Sequence, residues 1–220
     1  MAKLIHELDN GDYVKPDKTT VAQYLRRWLV ECEKPSLTPR SYERYNGIIE
    51  RNLIPAIGKI RLIELRPEHI QRHYANMTAK GLAARTVRYD HIVLHGALRM
   101  AVKWQLVPRN VADAVEPPKA KHSEMQIWDS DEIAEYLEAA KTTPYHVIFY
   151  TALYTGARRS ELLGLSWLHE DWLYSQINIE RGLHWTKNEG YIFTQPKSAK
   201  SRRTIALPPS LVLLLKEHKE

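Results

Sequence analysis

The 220-residue chain holds one cysteine, Cys32. A single thiol excludes an internal disulfide framework and any cysteine-based zinc cluster, and it fits a reducing, cytoplasmic setting. Cys32 is expected to be a small, buried or half-buried side chain and not a reactive one. No apolar run is long enough to cross a bilayer, and Met1-Ala2-Lys3-Leu4-Ile5-His6-Glu7 lacks the apolar core of a signal peptide. There is no internal repeat and no low-complexity tract. His6, His69, His73, His122, His146, His184 and His218 show no metal-ligand spacing with acids or cysteine. His91 and His95 form an i, i+4 pair without a third ligand. No metal and no membrane association are expected.

What is present is a soluble globular composition, 44% hydrophobic and 26% charged. The net charge of +6 is unevenly placed. Residues 1–122 carry 21 Lys and Arg against 13 Asp and Glu, whereas the remainder carries 11 against 13. A basic first part beside a near-neutral second part suggests a polyanion partner; a solvated basic surface without a partner would give the same count.

Residues 1–17 read as a short lead-in segment with turn signals. Thr20 with Gln23 forms a capping box. Val21, Tyr24, Leu25, Trp28 and Leu29 then make an amphipathic stripe ending before Pro35. Thr38-Pro39 opens a second helix, with Tyr42, Tyr45 and Ile49 on its apolar side, and the stretch from Leu53 to Gly58 ends it. Arg66-Pro67 opens a third helix with Ile70 and Tyr74 inward. A fourth runs from about Ala83 to Gln105 with Val87, Leu94, Ala97, Leu98, Ala101 and Val102 inward. Residues 18–114 thus form one helical domain. The proline-bearing stretch 115–124 reads as a linker, and 125–220 as a second domain.

The second domain changes character. Asp129 with Glu132 starts a helix, 144–154 is an apolar helix closed by Thr155-Gly156, and 158–167 is helical again. Alternating stretches at 176–180, 191–195 and 203–207 read as strands, with Gly182, Gly190 and the run 196–201 as turns of one small antiparallel sheet. A last apolar helix starts at Ser210 and the chain stops within it, so the sequence is expected to be a truncated one. Trp128, Trp167, Trp172 and Trp185 read as core or interdomain packing.

Two segments carry chemistry. In Thr155-Gly156-Ala157-Arg158-Arg159-Ser160-Glu161-Leu162, the glycine turn presents Arg158 at the first turn of a helix. A guanidinium is a planar fork suited to two phosphate oxygens, and helix amides favour an anion. In Pro196-Lys197-Ser198 followed by Arg203-Thr204-Ile205-Ala206-Leu207-Pro208, a lysine at a hairpin tip can reach a phosphate as a mobile ammonium donor. Taken singly, the first is an ordinary helix start and the second a solvated basic turn.

Together, in this order and about forty residues apart, they resemble the tyrosine recombinase (phage integrase) family. The first matches the family's arginine box and the second its β-hairpin lysine segment. The segments Ser36–Tyr42 and Leu62–Ile70 resemble its core-binding helices, so that the likeness covers roughly 18–220. The resemblance implies a mainly α fold with a small antiparallel β-sheet: a four-helix core-DNA-binding (SAM-like) domain followed by the first part of an α+β catalytic domain. It implies DNA strand cleavage and rejoining through a phosphotyrosine intermediate, without metal or nucleotide. Arg158 would stabilise the transition-state charge, Lys197 would be the general acid for the departing 5′-oxygen, and Glu161 would be support. Duplex DNA would be the partner, and the full-length protein a homotetramer on it, with this chain a monomer.

The sequence departs from the family at His169, where an aspartate is usual, with Asp171 in the later acidic place. The family's second arginine, its histidine box and its nucleophilic tyrosine lie further along than Leu207, and nothing in this chain supplies them. Tyr154, Tyr174 and Tyr191 are expected to be structural, and the chain alone inactive in cleavage. Residues 1–17 are too short for an arm-binding domain.

DNA-binding candidates also follow from position alone. Arg40 and Arg44 lie four apart on the second helix with Ser41 alongside. Arg88, His95 and Arg99 share one face of the fourth helix, preceded by Lys80, Arg85 and Thr86. Such residues contact phosphates mainly, and one or two can read bases. Lys200, Arg202 and Arg203 are weaker candidates for backbone contact. A DNA-binding module without catalysis, or a non-specific RNA- or DNA-associated protein, would share this basic face.

Overall fold

The structure, a computed structural model, describes residues 18–119, 124–196 and 201–220. The lead-in of residues 1–17, Lys197 and Lys200 lie outside the described residues. The chain divides into two compact units, Met1–Ser123 and Glu124–Glu220.

In the first unit, α1 (Val21–Trp28) starts at Thr20. The Thr20 hydroxyl accepts from the Gln23 amide at 3.3 Å, and Gln23 Oε1 accepts from the Thr20 amide at 2.9 Å. Two helix-end donors are thereby satisfied reciprocally. The expected stripe Val21, Tyr24, Leu25, Trp28 and Leu29 is 0–2% exposed. A π-helical turn, Leu29–Glu33, follows. The next helix, α2 (Pro39–Ile48), is capped by Thr38 with Pro39 at its first position. It continues through a second π turn, Ile49–Leu53, into α3 (Ile54–Ile57), and the helical path stops at Gly58. Then come α4 (Pro67–Ala79) and the twenty-residue α5 (Ala84–Lys103). Twenty-two buried residues, from these elements and from the segments that join and follow them, form one core. The Tyr24 hydroxyl donates to the Ala97 carbonyl at 2.6 Å inside it. Val102 is half-buried, while Asp90, absent from the expected apolar set, sits on the buried face of α5 at 0% exposure.

In the second unit, Asp129 and Glu132 form a capping box at the expected start of α6 (Ser130–Ala140). Next are α7 (His146–Thr155) and α8 (Arg159–Leu163). Five strands follow: β1 (Glu170–Asp171), β2 (Gln176–Ile179), β3 (Gly182–Thr186), β4 (Gly190–Thr194) and β5 (Arg203–Ala206). The last element is α9 (Pro209–Lys219). The strands make two antiparallel sheets instead of one, in the orders β1-β2-β5 and β3-β4. Ile177 pairs with Ile205 in the first sheet, and Trp185 with Tyr191 in the second. The core here is small: Ile177, Ile179, Leu207, Leu211 and Leu215.

Several expectations are corrected. Gly182 opens β3 and is not a turn. A Cβ there would lie 3.3 Å from the Ser160 carbonyl, and one on Gly164 would lie 3.0 Å from the Arg181 carbonyl. The two glycines let α8 and β3 touch backbone to backbone, a use of strand glycine that resembles a turn signal in sequence. The run 196–201 does not cross between paired strands: β4 pairs with β3, and β5 with β2. The turn of the observed β3–β4 hairpin ends at Gly190 (φ +69°), and Lys197 lies outside the described residues. The helix expected over 158–167 is a single turn with a further 3-10 turn at Trp167–His169. Trp128 and Trp185 are more than half exposed, not core. Trp167 and Trp172 stack on each other at 6.3 Å with Lys219 beside both rings. Tyr154, Tyr174 and Tyr191 are exposed too.

Candidate functional site

Two sets of side chains matter, one in each unit. In the helical unit, α2 and the start of α5 border a cleft of about 720 Å³. Arg44, Arg85 and Thr86 line it, joined by Arg51, Asn52 and Tyr89, which sequence reasoning missed. The Arg44 guanidinium lies 3.5 Å from the Tyr89 ring centroid and that of Arg85 5.9 Å from the same ring. Hydrogen bonding from Arg44 and then Arg85, joined by their charges, holds the Tyr89 phenol below its ordinary value. The spacing carried a signal: Arg85 and Tyr89, like Gly47 and Arg51, are i, i+4 neighbours.

Behind the cleft lies a buried polar network. Asp90 accepts from Asn52 Nδ2 at 3.0 Å and meets His73 Nε2 at 3.2 Å, with His73 6% exposed. It ties the π turn after α2 to α4 and α5, so that packing and cleft geometry depend on the same three side chains.

The other proposed DNA contacts do not line the cleft. Arg88 and Arg99 are exposed on the face of α5 opposite its buried side, as expected. His95 shares that face, but its Nε2 is 2.7 Å from Asp113 Oδ1. Arg40 is exposed near the start of α2, the Ser41 hydroxyl is engaged with Thr38 at 3.0 Å, and Lys80 is exposed at the end of α4.

In the second unit, Gly156 adopts the left-handed conformation (φ +59°) and ends α7. The chain turns through Ala157 and places Arg158 as the residue before α8. Glu161, 6% exposed, organises this corner. One carboxylate oxygen accepts from Arg158 Nη1, and the other from both the Arg158 amide and Arg203 Nη2, each at 2.9 Å. Burial opposes ionisation of Glu161. The hydrogen bonds from Arg203 and from the amide and guanidinium of Arg158 outweigh it and hold the carboxyl at about 2. The glutamate is therefore a carboxylate, and it takes the Arg158 amide for itself. Arg158 remains 70% exposed, so one end is fixed while the rest of its fork faces solvent. Arg203, on β5, is a partner that spacing could not reveal, since it lies 42 positions from Glu161. Arg202 donates to Gln195 at 2.9 Å, and Arg159 is exposed.

A family model described as phage integrase, N-terminal SAM-like domain, matches residues 20–77. The tyrosine recombinase XerC-like protein of Caldanaerobacter subterraneus subsp. tengcongensis is 26% identical over 98% of this chain and 59% of its own length. An integrase of Streptomyces ambofaciens is 28% identical over 100% of the chain and 57% of itself, and one of Mycobacterium phage L5 24% over 90% and 52%. The chain thus spans between half and three-fifths of the length of these relatives. Among solved structures, the Tn1549 transposon integrase in complex with a circular intermediate DNA superposes with a TM-score of 0.80 at 16% identity, covering 90% of this chain and 64% of that one. A lambda integrase dimer bound to a core site superposes at 0.65 with 17% identity, covering 87% and 51%. The fold is that of integrase core-binding and catalytic domains. Over nearly its whole length the chain is similar to tyrosine recombinases, or phage integrases.

Proposed function

We propose that the chain serves site-specific DNA integration or recombination, by strand cleavage and rejoining through a phosphotyrosine intermediate, and that it supplies duplex DNA binding and part of the active site. The observation that carries this reading is the corner around Glu161. A buried carboxylate anchors one edge of Arg158 and leaves the guanidinium 70% exposed, an arrangement that serves an anion arriving from solvent. Arg158 binds the non-bridging oxygens of the scissile phosphate as charge builds on them. Lys197 donates a proton to the departing 5′-oxygen. Glu161 holds Arg158 in place. A tyrosine hydroxyl of the whole protein attacks the phosphorus, and the bond broken is the one to the 5′-oxygen.

The division of labour follows the expected domains: 18–114 for binding, 115–124 as linker and 125–220 for catalysis. Arg40, Ser41, Arg44, Lys80, Arg85, Thr86, Arg88, His95 and Arg99 face the duplex in the first. Lys200 and Arg202 contact backbone in the second. The setting is cytoplasmic, and the full-length assembly on DNA is a homotetramer.

Competition binding with the 220-residue chain tests the reading. Duplex DNA is expected to displace labelled duplex at far lower concentration than single-stranded DNA or RNA of the same length. Equal competition by all three would contradict it and leave a non-specific polyanion binder.

A further inference from the structure

We propose that the cleft between α2 and the start of α5 is a preformed seat for backbone phosphates of duplex DNA, in which Tyr89 and Gly47 are the positioning residues for Arg44 and Arg51. The inference rests on the DNA-binding reading above and assigns it a device. Three guanidiniums, those of Arg44, Arg51 and Arg85, line one cleft of about 720 Å³, with Asn52 and Thr86 beside them. Free arginine side chains on a helix surface lose rotamer freedom when they grip an anion. Here that freedom is already restricted. The Tyr89 ring carries the Arg44 guanidinium at 3.5 Å and faces Arg85 at 5.9 Å.

Gly47 serves Arg51 in a different way. Arg51 Nε donates to the Gly47 carbonyl at 3.3 Å, and its Nη2 lies 2.6 Å from the point where a Cβ on residue 47 would stand. A glycine inside a helix costs helix propensity. At this position it leaves the hollow in which the guanidinium lies. The acidic residue lining the cleft, Asp90, is 0% exposed and turned to Asn52 and His73, so it offers an incoming phosphate little repulsion.

The test is fluorescence-anisotropy binding of the 220-residue chain to a random-sequence duplex pool across a salt series. Tyr89→Leu is expected to weaken binding about two- to fivefold, the size of an exposed cation–π contact. Tyr89→Phe, which keeps the ring but loses the hydroxyl that meets both guanidiniums, should weaken binding less than Tyr89→Leu. Arg44→Gln should weaken binding and lower the salt slope by about one, and adding Tyr89→Leu to it should cost little more, because the ring acts through that arginine. Gly47→Ala should raise the melting temperature through helix propensity yet weaken duplex binding, a pairing of signs that a purely structural role does not produce.

Parent-like binding by both Tyr89→Leu and Gly47→Ala, with Arg44→Gln still impaired, overturns the positioning claim while the DNA-binding face stands. Parent-like binding by Arg44→Gln and Arg85→Gln overturns the face itself. Displacement of duplex by millimolar inorganic phosphate at constant ionic strength would show a free-anion site and overturn the duplex assignment.

Discussion

Replacing Glu161 by glutamine removes one charge and almost no volume, yet it should destabilise the second unit markedly at neutral pH. The carboxylate is 7% exposed and holds three donors at 2.9 Å. Glutamine brings one acceptor oxygen and a donor amide, so at least one arginine would face another donor across a buried gap. The proton affinity of Glu161 sets the scale. Folding lowers the carboxyl from an ordinary value near 4.5 to about 2, worth about 3 kcal/mol at about 1.4 kcal/mol per tenfold change in affinity. Arg158 is 70% exposed and its share is screened by water, which leaves about 2 kcal/mol. Because folding weakens proton binding, this stability is present above about pH 4.5 and is lost as pH falls towards 2.

Urea unfolding followed by tryptophan fluorescence measures it, since Trp128, Trp167, Trp172 and Trp185 report on the second unit. The midpoint of Glu161→Gln should fall below the parent at pH 7, and the gap should narrow as the pH falls below about 4.5 towards 2. An unchanged midpoint at pH 7, or a gap of the same size at pH 3 as at pH 7, would refute the claim that Glu161 is an ionised anchor.

Three further outcomes follow from other residues. Asp90→Ala strands His73 and Asn52 in the core of the helical unit and should cost about 3 kcal/mol, read as a drop in its melting temperature. Arg88→Gln and Arg99→Gln remove exposed cations and should leave melting unchanged, while each weakens duplex binding and flattens the salt slope by about one; parent-like binding by both would place the DNA on another face. Glu170 has the opposite sign to Glu161. Burial pushes its carboxyl up to about 7, with Lys219 offsetting part of the rise, and its Oε2 has no hydrogen-bond partner among the described residues. A raised folded value favours folding below about pH 4.5, and that contribution disappears as pH rises through 7. Glu170→Gln should therefore stabilise the second unit by about 1–2 kcal/mol at pH 8, after solvent screening, and hardly at all at pH 4; equal effects at both pH values would contradict the assignment.

Helix starts were the most legible features of the sequence, because they depend on a few adjacent residues. Thr20 with Gln23, Thr38 with Pro39, and Asp129 with Glu132 each cap the helix expected of them. The four long helices of the first unit follow from apolar spacing for the same reason: a stripe at helical period must be buried. Long-range pairing was not legible. The split into two sheets depends on β2 choosing β5 across the inserted β3-β4 hairpin, and Gly182 looked like a turn because close packing and turning both favour glycine. Trp128 and Trp185, expected as core or interdomain packing, are 53% and 56% exposed and so do not belong to the core of the second unit. At the site, Arg158 and Glu161 were legible as neighbours in one box. Arg203 was not identified as their partner, and of the contacts Tyr89 makes only the one with Arg85, four residues before it, had a local signature; Arg44 comes from another helix.

Selection of bound duplexes from a random DNA pool by this chain, with sequencing and a salt titration, tests the central claim most directly. Enrichment of one short half-site, with a several-fold preference that survives moderate salt, is the result expected of a recombinase core-binding domain. Enrichment of no sequence, with affinity collapsing as salt rises, would contradict it and reduce the basic face to backbone attraction alone.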